Sequence, residues 1–374
     1  MMGDLDGILV VSIEQAVAAP YAASRLADAG ARVIKVERPE GDFARDYDQL
    51  ARGQSAYFVW LNRGKQSICL DLKSKSDRQV LARMLTRADV LIQNLAPGVL
   101  SRLGFTVEDL RQRHPRLITC SISGYGGTGP YRDQKAYDLL IQAESGLSAI
   151  NGIGEEPARV GVSVCDIAAG MSAHQAILQA LFARERSGQG RAVEVSLFHA
   201  MADWMNVPYL QHRYGGKAPA RQGLNHPTIA PYGGFRCADG KTLLMAIQNE
   251  REWHRLCIDA LQRPDLADDP RFASNTARVA NRAILDAELG AILQTRPREE
   301  MIDKFAAADI AYGRLSDLAD LADHPQARFI RVATEGGEVE LLSPGDIVMG
   351  GTPTYGAVPA KDQHGSELRR EFGV

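Results

Sequence analysis

The chain has 374 residues, of which 45% are hydrophobic and 24% charged, with a formal net charge of -3. This is ordinary globular composition, long enough for two domains or one large α/β domain. Charges of both signs are mixed throughout. No basic block or basic-aromatic stripe argues for nucleic acid, and no apolar run nears the roughly 18–20 residues of a membrane span.

The opening residues, MMGDLDGILVVSIEQ, lack the basic start and small-residue cleavage site of a signal peptide, so the expected compartment is the cytosol. Residues 7–13 form a continuous apolar run, as expected for a strand covered on both faces. PYAASRLADAG then reads as a helix closed by Gly30, and ARVIKVER as a second strand. The alternation continues through QSICLDL (strand), KSDRQVLARMLTRA (helix), DVLIQNL (strand), a pair of short helices, and PRLITCSISGYG (strand). Such alternation predicts an α/β fold with a doubly wound parallel sheet. A small-residue strand is expected to run into Asp166, with a helix from there to about Ser187 that SGQGR stops, followed by the strand AVEVSLF.

Residues 199–212 read as helical, and RYGGKAPARQGLNHPTIAPYGG as a Gly/Pro-rich linker or active-site loop. FRCADGKTLLMAI predicts a hairpin around an Asp-Gly turn, with helices through about residue 320. The tail FIRVATEGGEVELLSPGDIVMGGTP returns to strand character around a second hairpin. The expected organisation is a large domain over 1–212, a linker and smaller α+β domain over 213–325, and a strand-like C-terminal segment over 326–374.

Several residues could carry chemistry. The five scattered cysteines lack a CxxC and read as reduced thiols, and neither HExxH nor a Cys/His cluster suggests a metal. GYGGTGP permits positive φ and close backbone approach, but its spacing is neither a dinucleotide fingerprint nor a Walker loop, and the first βα turn has no dinucleotide glycines. No nucleotide redox cofactor is therefore expected. Glu37 sits where a ribose hydroxyl is often held, while Arg38 with Lys73, Lys75, Arg102 and Lys135 could supply cations for a polyphosphate. His174 reads as structural; His226 and Tyr232, in the Gly/Pro loop, could line a site. Asp166 has two readings. It could cap its helix, the commoner role, or serve as a covalent nucleophile with small neighbours that admit a bulky ligand and helix N–H groups that cradle an oxyanion. Spacing leaves both open.

The order of these segments, from GILVVSIEQAVAAPYAASRLADAGARVIKVERPEGD through RLITCSISGYGGTGPY and AYDLLIQAESGL to CDIAAGMSAHQAILQALFARERSGQGRAVEVSLF, resembles the class III CoA-transferases, the formyl-CoA/carnitine type, over nearly the whole chain. These share a superfamily with α-methylacyl-CoA racemase. The resemblance implies that Asp166 is the nucleophile of a ping-pong relay, through an aspartyl anhydride and an aspartyl-CoA thioester, with acyl-CoA as co-substrate. It implies CoA contacts at Arg38, Leu70, Lys73, Asn94, Leu95, Arg102 and Lys135. Tyr47, Tyr57, Tyr137 and Asp138 match positions lining the reaction site. It also implies an interlocked homodimer, in which the C-terminal segment, 326–374, returns to the large domain.

Two departures bear on specificity. Oxalate-specific members carry a glutamine where this chain has Val17, with Gln15 nearby, and their glycine run is replaced by TIAPYGGF. The racemases have a catalytic His in GHD where this chain reads AYD with Tyr137, and a phenol of pKa ~10 is a poor base at neutral pH. Transferase is therefore favoured over a racemase-like isomerase or a non-catalytic CoA-binding protein. The segments look closest to members using short dicarboxylates, with Arg45, Arg52 or His226 as candidates for a distal carboxylate.

Overall fold

A computed structural model describes residues 3–345 and 354–373. The chain divides into two compact units, one of residues 1–148, 159–210 and 328–374, the other of 149–158 and 211–327.

The first unit is built on six parallel strands: β1 (Leu9–Ile13), β2 (Arg32–Glu37), β3 (Lys65–Cys69), β4 (Val90–Gln93), β5 (Ile118–Ser123) and β6 (Ala192–Ser196). Their order is β3-β2-β1-β4-β5-β6, with Val10 of β1 facing Val33 of β2 on one side and Val90 of β4 on the other. Every residue of β1 is buried, as the unbroken apolar run predicts for a strand with helices on both faces. The connection leaves β1 toward β3 and returns to β4, so the sheet reverses direction beside β1. The crevice at the carboxyl ends of β1 and β4 is thus the topological switch point where ligands bind in such sheets.

Helices α1 (Ala18–Asp28), α2 (Ala56–Asn62), α3 (Lys75–Arg87), α4 (Val99–Arg102), α5 (Val107–Arg113), α6 (Asp138–Glu144), α7 (Val164–Ser187) and α8 (Leu197–Trp204) complete the layers. One core joins Val10, Val33, Ile118 and Cys120 to α1 and α7 through Ala22, Leu26, Ala169 and Ile177. The opposite face joins Val11, Ile34 and Leu91 to Leu81 and Leu85 of α3 and to Leu368 of the helix Gly365–Glu371. The chain past residue 328 therefore closes the second face of the sheet that the N-terminus opens.

The second unit holds a three-stranded antiparallel sheet, β7 (Tyr232–Arg236), β8 (Thr242–Ala246) and β9 (Ala311–Arg314), in the order β9-β8-β7. The expected hairpin is β7–β8, but Asp239 and Gly240 sit in a wider loop closed by Cys237 N–H to the Lys241 carbonyl at 2.9 Å. β9 lies where the sequence reads as helical; AYGR is too short to carry a periodicity and is fixed as a strand by pairing with β8. The core here gathers Leu243, Met245, Trp253, Leu285, Leu289 and Phe305.

Three further expectations change. No strand runs into Asp166: residues 159–163 are irregular. The helix expected over 199–212 is two helices, α8 and Asn206–Gly215. The tail forms its hairpin from Phe329–Thr334 and Gly337–Leu342, and the rest of the expected tail strand, 346–353, lies outside the described residues.

Candidate active site

Asp166 is the third residue of α7, not its cap; the N-cap is Ser163, whose side chain makes no capping bond. The cap comes from elsewhere. Asp138, the first residue of α6, accepts from the Cys165 N–H at 2.8 Å and the Asp166 N–H at 3.4 Å. The Val164 and Ile167 N–H groups bond the Val162 and Ser163 carbonyls. These four leading donors are all engaged, so the oxyanion cradle expected at this helix start is absent. Asp138, expected to line the substrate, instead directs its carboxylate into the helix terminus, and its second oxygen accepts from Gln142 Nε2 at 2.7 Å.

The Asp166 carboxyl itself has no hydrogen-bond donor or cation beside it among the described residues. It is half-buried, and burial, followed by the charge of Asp138, raises its pKa to about 7. The phenols gather around it. Tyr57 Oη lies 3.2 Å from Ser163 Oγ, and the Tyr47 and Tyr57 rings meet edge-on at 5.6 Å. Burial first, then the carboxylates of Asp42 and Asp166, push the Tyr47 phenol up to about 12. Tyr137, directly before Asp138, is exposed. Asp166, Asp138, Tyr47, Tyr57 and Tyr137 thus come together, although they span 120 residues of sequence.

The small residues after Asp166 do not open space for a ligand. Ala168, Ala169 and Gly170 are buried against α1, and a Cβ on Gly170 would lie 2.8 Å from the Ala18 carbonyl oxygen. They let the two helices approach closely.

A second cluster shapes the switch-point crevice. Asn94 clamps the backbone of Gln15, accepting its N–H at 3.0 Å and donating to its carbonyl at 2.8 Å. The next residue, Ala16, is left-handed at φ 62°, and its N–H bonds Asp42 Oδ1 at 3.2 Å. Asp42 Oδ2 accepts from Lys35 at 2.8 Å, and Lys35 and Lys65 share Glu14, Lys65 at 2.5 Å. Lys35, Lys65, Glu14 and Asp42 are all buried. Burial works against the Lys35 charge, yet Glu14 and Asp42 outweigh it and raise its pKa; Lys65 is pushed down to about 8, chiefly by burial. Sequence reasoning passed over Glu14, Lys35, Asp42 and Lys65. Charged residues inside otherwise apolar strands, such as Lys35 in VIKVE, were the available signal.

Glu37 and Arg45 bind each other. Arg45 donates to Glu37 at 2.7 and 2.8 Å and reaches the Pro359 carbonyl, so neither is free for a ribose or a distal carboxylate. Val17 and Leu70 are buried in the packing, and Leu95 is partly buried beside the same core as Leu70. The expected CoA cations fall in one region of the sheet: Arg38 follows β2, Lys73 follows β3, Arg102 ends α4 after β4, and Lys135 follows β5. All four are exposed, and none forms an ion pair among the described residues. Arg102 and Leu95 border a cavity of about 620 Å³. His226 and Tyr232 lie in the second unit, their rings stacked at 5.2 Å. Arg282 holds their loop by donating to the His226 and Ile229 carbonyls, each at 2.7 Å.

The first unit thus joins a doubly wound α/β sheet to a carboxyl at a helix start that has no hydrogen-bond donor or cation beside it among the described residues. Comparison with known proteins makes this specific. The profile of "CoA-transferase family III" matches residues 5–357. An acetyl-CoA:oxalate CoA-transferase of Acetobacter aceti is 37% identical, covering 100% of this chain and 96% of its own. A succinyl-CoA:mesaconate CoA-transferase of Haloarcula hispanica is 34% identical over 100% of this chain and 97% of its own. The crystal structure of a CAIB/BAIF family protein from Brucella suis superposes with a TM-score of 0.87 at 34% identity, covering 100% of both chains. The chain belongs to CoA-transferase family III and is a CoA-transferase.

Proposed function

We propose that this protein moves CoA from an acyl-CoA thioester to a short-chain dicarboxylic acid, with Asp166 as the covalent nucleophile. One observation carries the reading: the Asp166 carboxyl is placed at the start of α7 with no hydrogen-bond donor or cation to stabilise its charge among the described residues, and its pKa is about 7. A carboxylate left in that condition is poor as a structural group and apt as a nucleophile.

The ionised carboxylate attacks the thioester carbonyl of the donor. A C–O bond forms, the C–S bond breaks, and CoA leaves as thiolate from an aspartyl anhydride. The thiolate attacks Cγ of Asp166, giving an aspartyl-CoA thioester and the free donor acid. The acceptor carboxylate then attacks Cγ, again expelling thiolate, which takes the acceptor acyl group and restores Asp166. Arg38, Lys73, Arg102 and Lys135, exposed beyond the strand ends and without an ion pair among the described residues, suit the phosphates of CoA. Relatives named for oxalate, mesaconate and glutarate support a dicarboxylic acceptor.

The test is to incubate the protein with succinyl-CoA or acetyl-CoA, quench, digest and weigh the peptide containing residue 166. It should gain an acyl or CoA adduct that hydroxylamine removes. A screen of oxalate, succinate, mesaconate, itaconate and glutarate as acceptors should yield at least one new CoA thioester; no turnover with any of them would refute the dicarboxylate assignment. Asp166→Ala should fold and show no exchange.

The second partner in this reading is another copy of the chain. α7 exposes Met171, Leu178 and Phe182 along one stripe, and Trp204 and Val207 are exposed just beyond. This patch suits a homodimer contact.

A further inference from the structure

Resting on the reading of Asp166 as nucleophile, we propose that Asp138 is a positioning residue for the transfer: from α6 it caps the first turn of α7, fixes the backbone that carries Asp166, and keeps a negative charge beside the nucleophile.

Three N–H donors and no cation among the described residues hold the Asp138 carboxylate: Cys165 at 2.8 Å, Asp166 at 3.4 Å and Gln142 Nε2 at 2.7 Å. Gln142 is fully buried, and its own oxygen accepts from Val160 N–H at 2.8 Å, which ties the irregular segment before α7 to α6. The cap therefore joins two helices and the approach to Asp166 into one unit. A Ser or Asp at the N-cap position could satisfy the same donors locally. Here the N-cap Ser163 leaves them, and its hydroxyl lies beside Tyr57 instead.

The chemistry gives this arrangement a purpose. When a carboxylate displaces a thiolate from a thioester, the leaving group is the stronger base. An ordinary Asp of pKa about 3.9 stands more than four pH units below a thiol of about 8.5. A carboxyl of about 7 narrows that gap, while remaining largely ionised at pH 8. A neighbouring carboxylate with no cation between them raises basicity in this direction. The other groups around Asp166 do not offset it. Tyr47 follows the turn Phe43–Asp46, Tyr57 comes from α2, Tyr137 precedes α6, and Cys165 on α7 has its thiol pushed up to about 12 by burial. Arg159 directs its guanidinium to the Val160 and Gly161 carbonyls.

The experiment measures kcat/KM for acyl exchange from pH 5 to 9 in the wild type, Asp138→Asn and Asp138→Ala. The wild type should show an acid limb near pH 7. Asp138→Asn keeps an oxygen for the two backbone donors but removes the charge, so its acid limb should move down by about one pH unit, with kcat at pH 8 falling more than KM for acyl-CoA changes. Asp138→Ala also loses the cap, and its kcat should fall by roughly a further 10-fold. An Asn profile that superimposes on the wild type, with the 166 peptide still labelled, would overturn the role of Asp138 alone. If Asp138→Asn does not fold, Asp138→Ser, which keeps a capping oxygen without the charge, decides in its place: an acid limb unmoved from the wild type would overturn the proposal. Exchange by Asp166→Asn would instead overturn the nucleophile assignment on which it rests.

Discussion

Asp166 titrates at about 7 in the folded chain, against about 3.9 for an unperturbed Asp. The folded state therefore binds more protons than the unfolded chain between those values. The contribution of Asp166 to stability is greatest below pH 4, falls as pH rises toward 7, and is level above it. Partial exposure tempers the cost of the ionised form to on the order of 1–2 kcal/mol. Asp166→Asn should melt above the wild type at pH 8, and the difference should vanish near pH 4. A constant offset in thermal melts at both pH values would contradict this account. Glu37 has the opposite sign. Burial works against its charge, but Arg45, Lys35 and Ser67 outweigh it and hold its pKa at about 2. Its contribution, on the order of 2–3 kcal/mol, is present above the ordinary Glu value and is lost as pH falls from about 4.5 to 2. Urea midpoints should put Glu37→Gln well below the wild type at pH 7, and the gap should narrow through pH 3 and close only near pH 2. Asp166 was legible as a candidate because a carboxylate before a long helical pattern is a local feature. The identity of its cap was not, since Asp138 lies 28 residues earlier and contacts α7 only through the fold.

At the scale of elements, the approach of α1 and α7 sets the height of Asp166 above the sheet. Their contact is lined by alanines (Ala18, Ala22, Ala169, Ala173) and by Gly170. Gly170 is helical, so its value lies in volume rather than in backbone freedom: an added Cβ would sit 2.8 Å from the Ala18 carbonyl and 2.9 Å from Tyr21 Cβ. Gly170→Ala must separate the helices at a cost of about 1–3 kcal/mol, despite its better helix propensity. Guanidinium denaturation should show a lower midpoint and an unchanged m-value; a midpoint equal to or above the wild type would show that the contact yields freely. The same residues illustrate what sequence can reveal. The run of small side chains was visible, but a gap for ligand and a close helix contact share one signature. Only the presence of α1 across the gap distinguishes them. The buried strands were legible for the converse reason: LVVSI and VLIQ can bury both faces only inside a covered parallel sheet. AYGR of β9 carries no such constraint, and pairing with β8 alone fixes it.

For the whole molecule, the chain beyond residue 328 belongs to the unit that the N-terminus begins. Its helix Gly365–Glu371 packs on α3, and Arg369 reaches Asp77 at 2.8 Å. No periodicity predicts that return, since it depends on contacts nearly 300 residues apart in sequence. The proposed homodimer has a more local signature. Met171, Leu178 and Phe182 recur at helical spacing on the side of α7 facing away from the core, and Phe182 is 68% exposed with Arg186 over its ring at 4.8 Å. A lone exposed phenylalanine is unremarkable, but a stripe on the helix that carries Asp166 is costly to leave in water. If a second copy covers it, Phe182→Glu places a charge in an apolar contact and should shift sedimentation toward the monomer at micromolar concentration. Asp166 would remain in its first turn, more than four helical turns from Phe182, so acylation of the 166 peptide should persist in whatever dimer remains. Sedimentation identical to the wild type would place the dimer contact elsewhere on the surface, and a wild-type protein that sediments as a monomer at every concentration would rule the homodimer out.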